Sequence, residues 1–140
     1  MYIYINFTAI FAASVASFLL GWLWYSDFIF GRRWRTLNNV SEESHQQMSG
    51  DKKKMTKSMV LYFVSLVVMV GVLARTLFYM GAYGIGDGIS TALWMWIGFV
   101  VPSMLGMVLW EKKSWEYYFI NVGYLLLALI TSGVILTLWR

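Results

Sequence analysis

The chain contains no cysteine, which excludes disulfides, thiolate nucleophiles and thiolate metal sites together. It has a single histidine, His45, so an imidazole-based metal site within one subunit would have one His ligand only. No local motif supports a Ser-His-acid triad around it, and His45, flanked by Ser44 and Gln46, reads as a solvated surface residue. Charge is also scarce. Asp, Glu, Lys and Arg make up 13% of the 140 residues, against roughly 25% in a soluble globular domain. With 59% hydrophobic residues, the chain reads as a membrane protein of a single domain, residues 1–140. No cofactor is expected.

What is abundant fits the same class. The chain has 8 Trp and 9 Tyr, side chains that favour the level where an apolar ring sits in hydrocarbon and a polar tip reaches the headgroups. About 20 apolar residues span the ~30 Å hydrocarbon core as a helix. Four runs reach that length, at about 2–25, 59–80, 89–110 and 117–139, and only the second holds an ionised side chain, Arg75. The first run lacks the charged start and the small-residue cleavage site of a secretory signal and reads as a retained span. The expected fold is therefore all-α, a polytopic bundle of four transmembrane helices.

The positive charges set the expected orientation. Segment 31–57 carries Arg32, Arg33, Arg35, Lys52, Lys53, Lys54 and Lys57, and the turn at 111–116 adds Lys112 and Lys113. In a four-span chain these two segments share one side of the membrane, which the positive-inside rule makes cytoplasmic, with both termini outside. The net charge of +4 is explained by this bias, and nucleic acid is not expected as a partner. Within 31–57, Asn39 followed by Glu42 resembles a capping box, Gly50 is placed as a helix stop and Asp51 as the cap of a helix running into span two. A short cytoplasmic surface helix is expected there. The segment Gly81–Gly88 holds four glycines in eight residues and reads as a tight reversal. Without a preceding strand or a following Lys-Ser/Thr pair it is not a phosphate loop.

Small residues recur every fourth position in span one, at Ala9, Ala13, Ser17 and Gly21, a ridge that lets another helix approach closely. In span three the same spacing joins Gly98, Pro102 and Gly106, flanked by Trp94 and Trp110. Pro102 lacks the N–H owed to Gly98, and a kink is expected. Polar groups gather at two depths. Arg75, Asn6 and Asp87 form a candidate outer site, and Asp27, Glu111 and Asn121 a candidate inner one.

Two stretches resemble a small bacterial four-span membrane family catalogued as domain of unknown function 1761. The first is Gly21, Trp24, Tyr25 and Ser26 followed by Phe30, Gly31 and Trp34; the second is Ser114 and Trp115 leading to Ile120, Asn121, Gly123 and Tyr124, with Gly133 and Trp139 beyond. Where that family usually has proline after Trp-Tyr-Ser, this chain has Asp27. The resemblance implies a bacterial inner-membrane protein and no established activity. The functional expectation is non-enzymatic: a homo-oligomer in the lipid bilayer that binds or moves a small solute. The alternative is an accessory subunit that binds other membrane subunits or lipid.

Overall fold

The computed structural model describes residues 4–140 and contains six helices among them: α1 (Phe7–Trp24), α2 (Gly31–Leu37), α3 (Glu42–Gly50), α4 (Lys52–Tyr79), α5 (Ile85–Leu109) and α6 (Trp115–Leu138). Residues 1–3 of the first expected span lie outside the described residues. Helices α1, α4, α5 and α6 are long and apolar enough to cross a bilayer. The chain is thus a multi-pass membrane protein with short helices between its first two spans.

Most helix starts have a side-chain cap that satisfies an otherwise free N–H. Asn6 accepts from the Ala9 N–H at 3.0 Å, Asp51 from Lys54 at 3.2 Å and Ser114 from Tyr117 at 3.1 Å. The cap of α3 is Ser41, which accepts from the Ser44 N–H at 3.1 Å. This corrects the expected box at Asn39, which instead takes a left-handed φ of 56° in the turn before it. Helix α4 stops at Gly81, whose φ of 62° lets the Ala82 N–H return to the Leu77 carbonyl at 3.0 Å.

Helix α6 is the centre of the bundle. It packs against α1 on one side and α5 on the other, with α4 resting on α1 and α6. The small ridge of α1 makes the first contact possible: Ala9, Ala13, Ser14 and Ser17 are fully buried. Ser17 Oγ lies 3.0 Å from Ser132 Oγ across that interface. The second contact rests on two glycines, Gly88 and Gly133, whose backbones touch. Neither the pairing nor its necessity is visible in Gly88 as one member of a glycine-rich turn.

Span three departs from a regular helix. The residues Trp96–Val100 form a π turn, in which the Val101 N–H reaches back to the Trp96 carbonyl, immediately before Pro102. The insertion widens the turn that the proline ring would otherwise crowd. Neighbouring carbonyls find side-chain donors: Ser103 Oγ donates to Phe99, and Tyr118 Oη donates to Val101 at 2.8 Å. The face bearing Gly98 and Pro102 turns away from the other helices of the subunit. Trp94 and Trp110 on it are 72% and 82% exposed, and a Cβ at Gly98 would meet nothing within 4 Å. The stripe points away from the bundle because α6 is engaged from the other side, through Gly88, Thr91 and Ala92.

Candidate functional site

The two ends of the bundle differ in kind. At the end with the Lys- and Arg-rich segments, the chain leaving α1 is latched onto α6. The Trp24 indole N–H donates to the Ile120 carbonyl at 2.9 Å, and Tyr25 Oη donates to Asn121 Oδ1 at 2.7 Å. The Asn121 amide in turn donates to the Tyr117 carbonyl at 2.8 Å. Gly31 closes the turn beneath them. A Cβ there would collide with the Tyr25 and Ser26 backbone, so no larger residue fits without moving the turn.

Rings fill the space inside this latch. The Tyr25 ring meets Trp34 and Tyr124 edge-on, at 6.1 and 5.6 Å, and Trp34 stacks on Tyr117 at 6.3 Å. Tyr124 Oη donates to the Ser17 carbonyl at 2.8 Å. Trp34 Nε1 is buried without a hydrogen-bond partner among the described residues. The Gly21, Trp24, Tyr25, Ser26 element thus acts as a fastener between α1 and α6.

The charged groups around the latch pair differently from the expected inner trio. Asp27 accepts from Arg35 at 2.7 Å, and Arg35, whose side chain is only 10% exposed, also lies 4.0 Å from Glu42. The hydrogen bond from Arg35 is the main reason that the Asp27 carboxyl is held below its ordinary range, with the charges of Arg35, Arg32 and His45 adding to it against partial desolvation. Glu116 takes the Arg33 guanidinium in a two-pronged pair at 2.6 and 2.7 Å. Lys113 donates to Asn38 Oδ1 at 2.9 Å and lies over the Tyr117 ring. Asp27, Glu111 and Asn121 are therefore not one cluster. Asn121 belongs to the tyrosine latch, Asp27 to Arg35, and Glu111 is exposed with no side-chain partner among the described residues. Glu116 is not legible as a site residue in the sequence, because its partner lies 83 positions away.

At the opposite end the outer trio is also divided. Asn6 caps α1 and turns its amide to the Trp139 carbonyl at 3.4 Å. Asp87 accepts the Tyr83 and Gly84 N–H groups at 3.0 and 3.2 Å, which fixes the start of α5. Arg75 donates to Tyr79 Oη at 3.0 Å, one turn along the same helix, and stacks on that ring. What this end has instead is a cavity of about 240 Å³ between the ends of α1, α4 and α6. Its floor is apolar, from Leu77, Phe78 and Leu136, and Tyr4, Asn6 and Arg140 bring polar groups to its edge. Arg75 is not in its wall. The Arg140 guanidinium rests 4.5 Å above the Tyr83 ring.

No curated protein and no solved structure matches this chain with significance. A family model described as Protein of unknown function (DUF1761) matches residues 8–137, nearly the whole chain and both halves of the latch, and the chain belongs to that family.

Proposed function

We propose that the protein is non-enzymatic and works as a homo-oligomer that binds or moves a small solute. The observation that carries this reading is the asymmetry of the bundle. At one end α1 and α6 are locked together by interlocked rings and hydrogen bonds, while at the other the ends of α1, α4 and α6 hold an open cavity with an apolar floor and a polar edge at Asn6 and Arg140. Such a mixture suits a small molecule with an apolar body and a polar or anionic head. The non-enzymatic part is supported by the position of the seven carboxylates, all of which lie at the ends of the spans or in the segments between them and not within their apolar depth. Acid–base chemistry needs a positioned proton carrier beside the reacting atom. Three spans packed on a central α6 leave no room for a path inside one subunit, so movement of a solute would use the space between copies.

The test is thermal unfolding of the detergent-solubilised chain with a panel of small organic carboxylates and the corresponding amides. A ligand specific to the folded state raises the midpoint in proportion to its saturation of the site. Stabilisation by some panel members, lost in Ala74→Leu, is expected. If every compound acts alike on both proteins, the cavity is not a binding site.

A second reading has its own support. Only 6% of the apolar window of α5 is buried, against 44% for α6, so span three offers a long face to a neighbour. An accessory subunit would use that face against a different protein. Purification in mild detergent separates the readings: a defined homo-oligomer supports the first, and stoichiometric foreign subunits the second.

A further inference from the structure

Helix α4 joins the bundle only from its middle onward. Its buried residues are Leu66, Val70, Leu73 and Leu77, and none lies between Lys52 and Ser65. Contacts of Phe18 with Tyr62 and Phe63, at 6.3 and 6.0 Å, mark where α1 and α4 part. Beyond them a cleft of about 360 Å³ opens between the two helices, walled by Phe18, Gly21 and Trp22 on one side and Ser58, Met59 and Tyr62 on the other. It faces sideways, at the depth where Trp22 meets the headgroup boundary.

The charge at its mouth has one sign. Lys54 lies one turn from Ser58 along α4, and Lys57 is its immediate neighbour. Lys52, Lys53, Lys54 and Lys57 are all exposed, and none forms an ion pair among the described residues. Asp51, the one carboxylate on this stretch, is turned to the Lys54 backbone N–H. Arg33 and Arg35, two other cations near this end, are already taken by Glu116 and Asp27.

We infer that the cleft between α1 and the first turns of α4 holds one acyl chain of an anionic phospholipid, whose phosphate is met by Lys54 and Lys57. Water gains little against such walls, whereas a flexible hydrocarbon chain fills them. The lysines add attraction for an anionic headgroup that a zwitterionic one does not share. This site is distinct from the cavity at the other end and does not rest on its function.

The experiment is native mass spectrometry of the full chain released from bilayers containing equal amounts of phosphatidylglycerol and phosphatidylcholine with identical acyl chains. One retained phosphatidylglycerol per subunit is expected, favoured roughly thirtyfold by the two lysines. Ser58 is exposed, so Ser58→Phe fills the cleft without touching the core and abolishes retention, while Val68→Phe, on another exposed part of α4, does not. Lys54→Gln with Lys57→Gln removes the preference and leaves retention of either lipid. The inference is overturned if Ser58→Phe retains the full preference, since the lipid would then sit only on a basic surface. It is equally overturned if the lysine pair changes nothing, or if Ser58→Cys forms a disulfide between subunits with the lipid excluded, since a second copy would then fill the cleft.

Discussion

Gly88 and Gly133 face each other across α5 and α6 so closely that a Cβ on either would lie 2.5 Å from the other's carbonyl oxygen. The obstacle is backbone, so neither residue can grow without moving a helix. Gly88→Ala or Gly133→Ala should cost about 1–3 kcal/mol, the range for overpacked sites. Gly98→Ala, on the exposed face of the same span, should cost nothing. Unfolding in mixed detergent, followed by near-ultraviolet circular dichroism, distinguishes them. Equal effects at Gly88 and Gly98 would mean that span three packs through its other face.

Ser17 and Ser132 form one unit at 3.0 Å, fully buried between α1 and α6. Removing either hydroxyl should cost about 0.6 kcal/mol, in line with interhelical hydrogen bonds in membranes. The double replacement with alanine should cost little more than Ser17→Ala alone, since Ser132 has then lost its partner already, whereas Ser17 without Ser132 keeps the longer bond to the Ala128 carbonyl at 3.4 Å. Ser17→Leu should do far worse, because leucine has no space against Ala128. Full additivity of the alanine variants would show that the two hydroxyls do not meet.

Arg35 ties the α1–α2 turn to the start of α3 through Asp27 and Glu42. The folded Asp27 carboxyl titrates below its unfolded value. Its contribution is therefore present above the ordinary carboxylate range, about pH 4, and is lost as pH falls through the lowered value. Protection of the amides of residues 26–42, taken relative to the intrinsic exchange rate at each pH, should hold from neutral pH down to that range and fall below it. Asp27→Asn should show the reduced protection already at neutral pH. An unchanged exchange map in that variant would show that the pair does not hold the turn.

Arg75 and Asp87 make separate local contacts, one with Tyr79 and one with the α5 N-terminus. Asp87→Ala should lower the thermal midpoint by freeing two N–H groups. Arg75→Lys should have a small effect, and the double variant should be additive. Non-additivity would restore a direct link between them.

Nine of the eleven Lys and Arg residues fall in segments 31–57 and 111–116, and this bias predicts that both segments are cytoplasmic. Single cysteines are informative in a chain that has none. In intact cells an impermeant thiol reagent should label Gly86→Cys and leave His45→Cys untouched. The reverse pattern would invert the protein in the membrane.

Four spans, their approximate limits and the cap at Asp51 could all be read from the order of residues, because they depend on runs of apolar side chains and on groups within one turn of each other. Even the ridge Ala9, Ala13, Ser17, Gly21 could be read as a close-packing surface, since helical periodicity places those residues on one line. Which face meets which helix depended on the tertiary structure. The stripe through Gly98 and Pro102 has the same four-residue spacing and points outward, because spacing describes one helix and packing describes two. The polar sites divided for a related reason. Asp27, Glu111 and Asn121 share a depth, but depth leaves rotation about each helix axis undetermined, and that rotation gave Asp27 to Arg35 and Asn121 to Tyr25. The partners that mattered most, Arg33 with Glu116 and Gly88 with Gly133, are far apart along the chain and were joined only when α6 took the centre of the bundle.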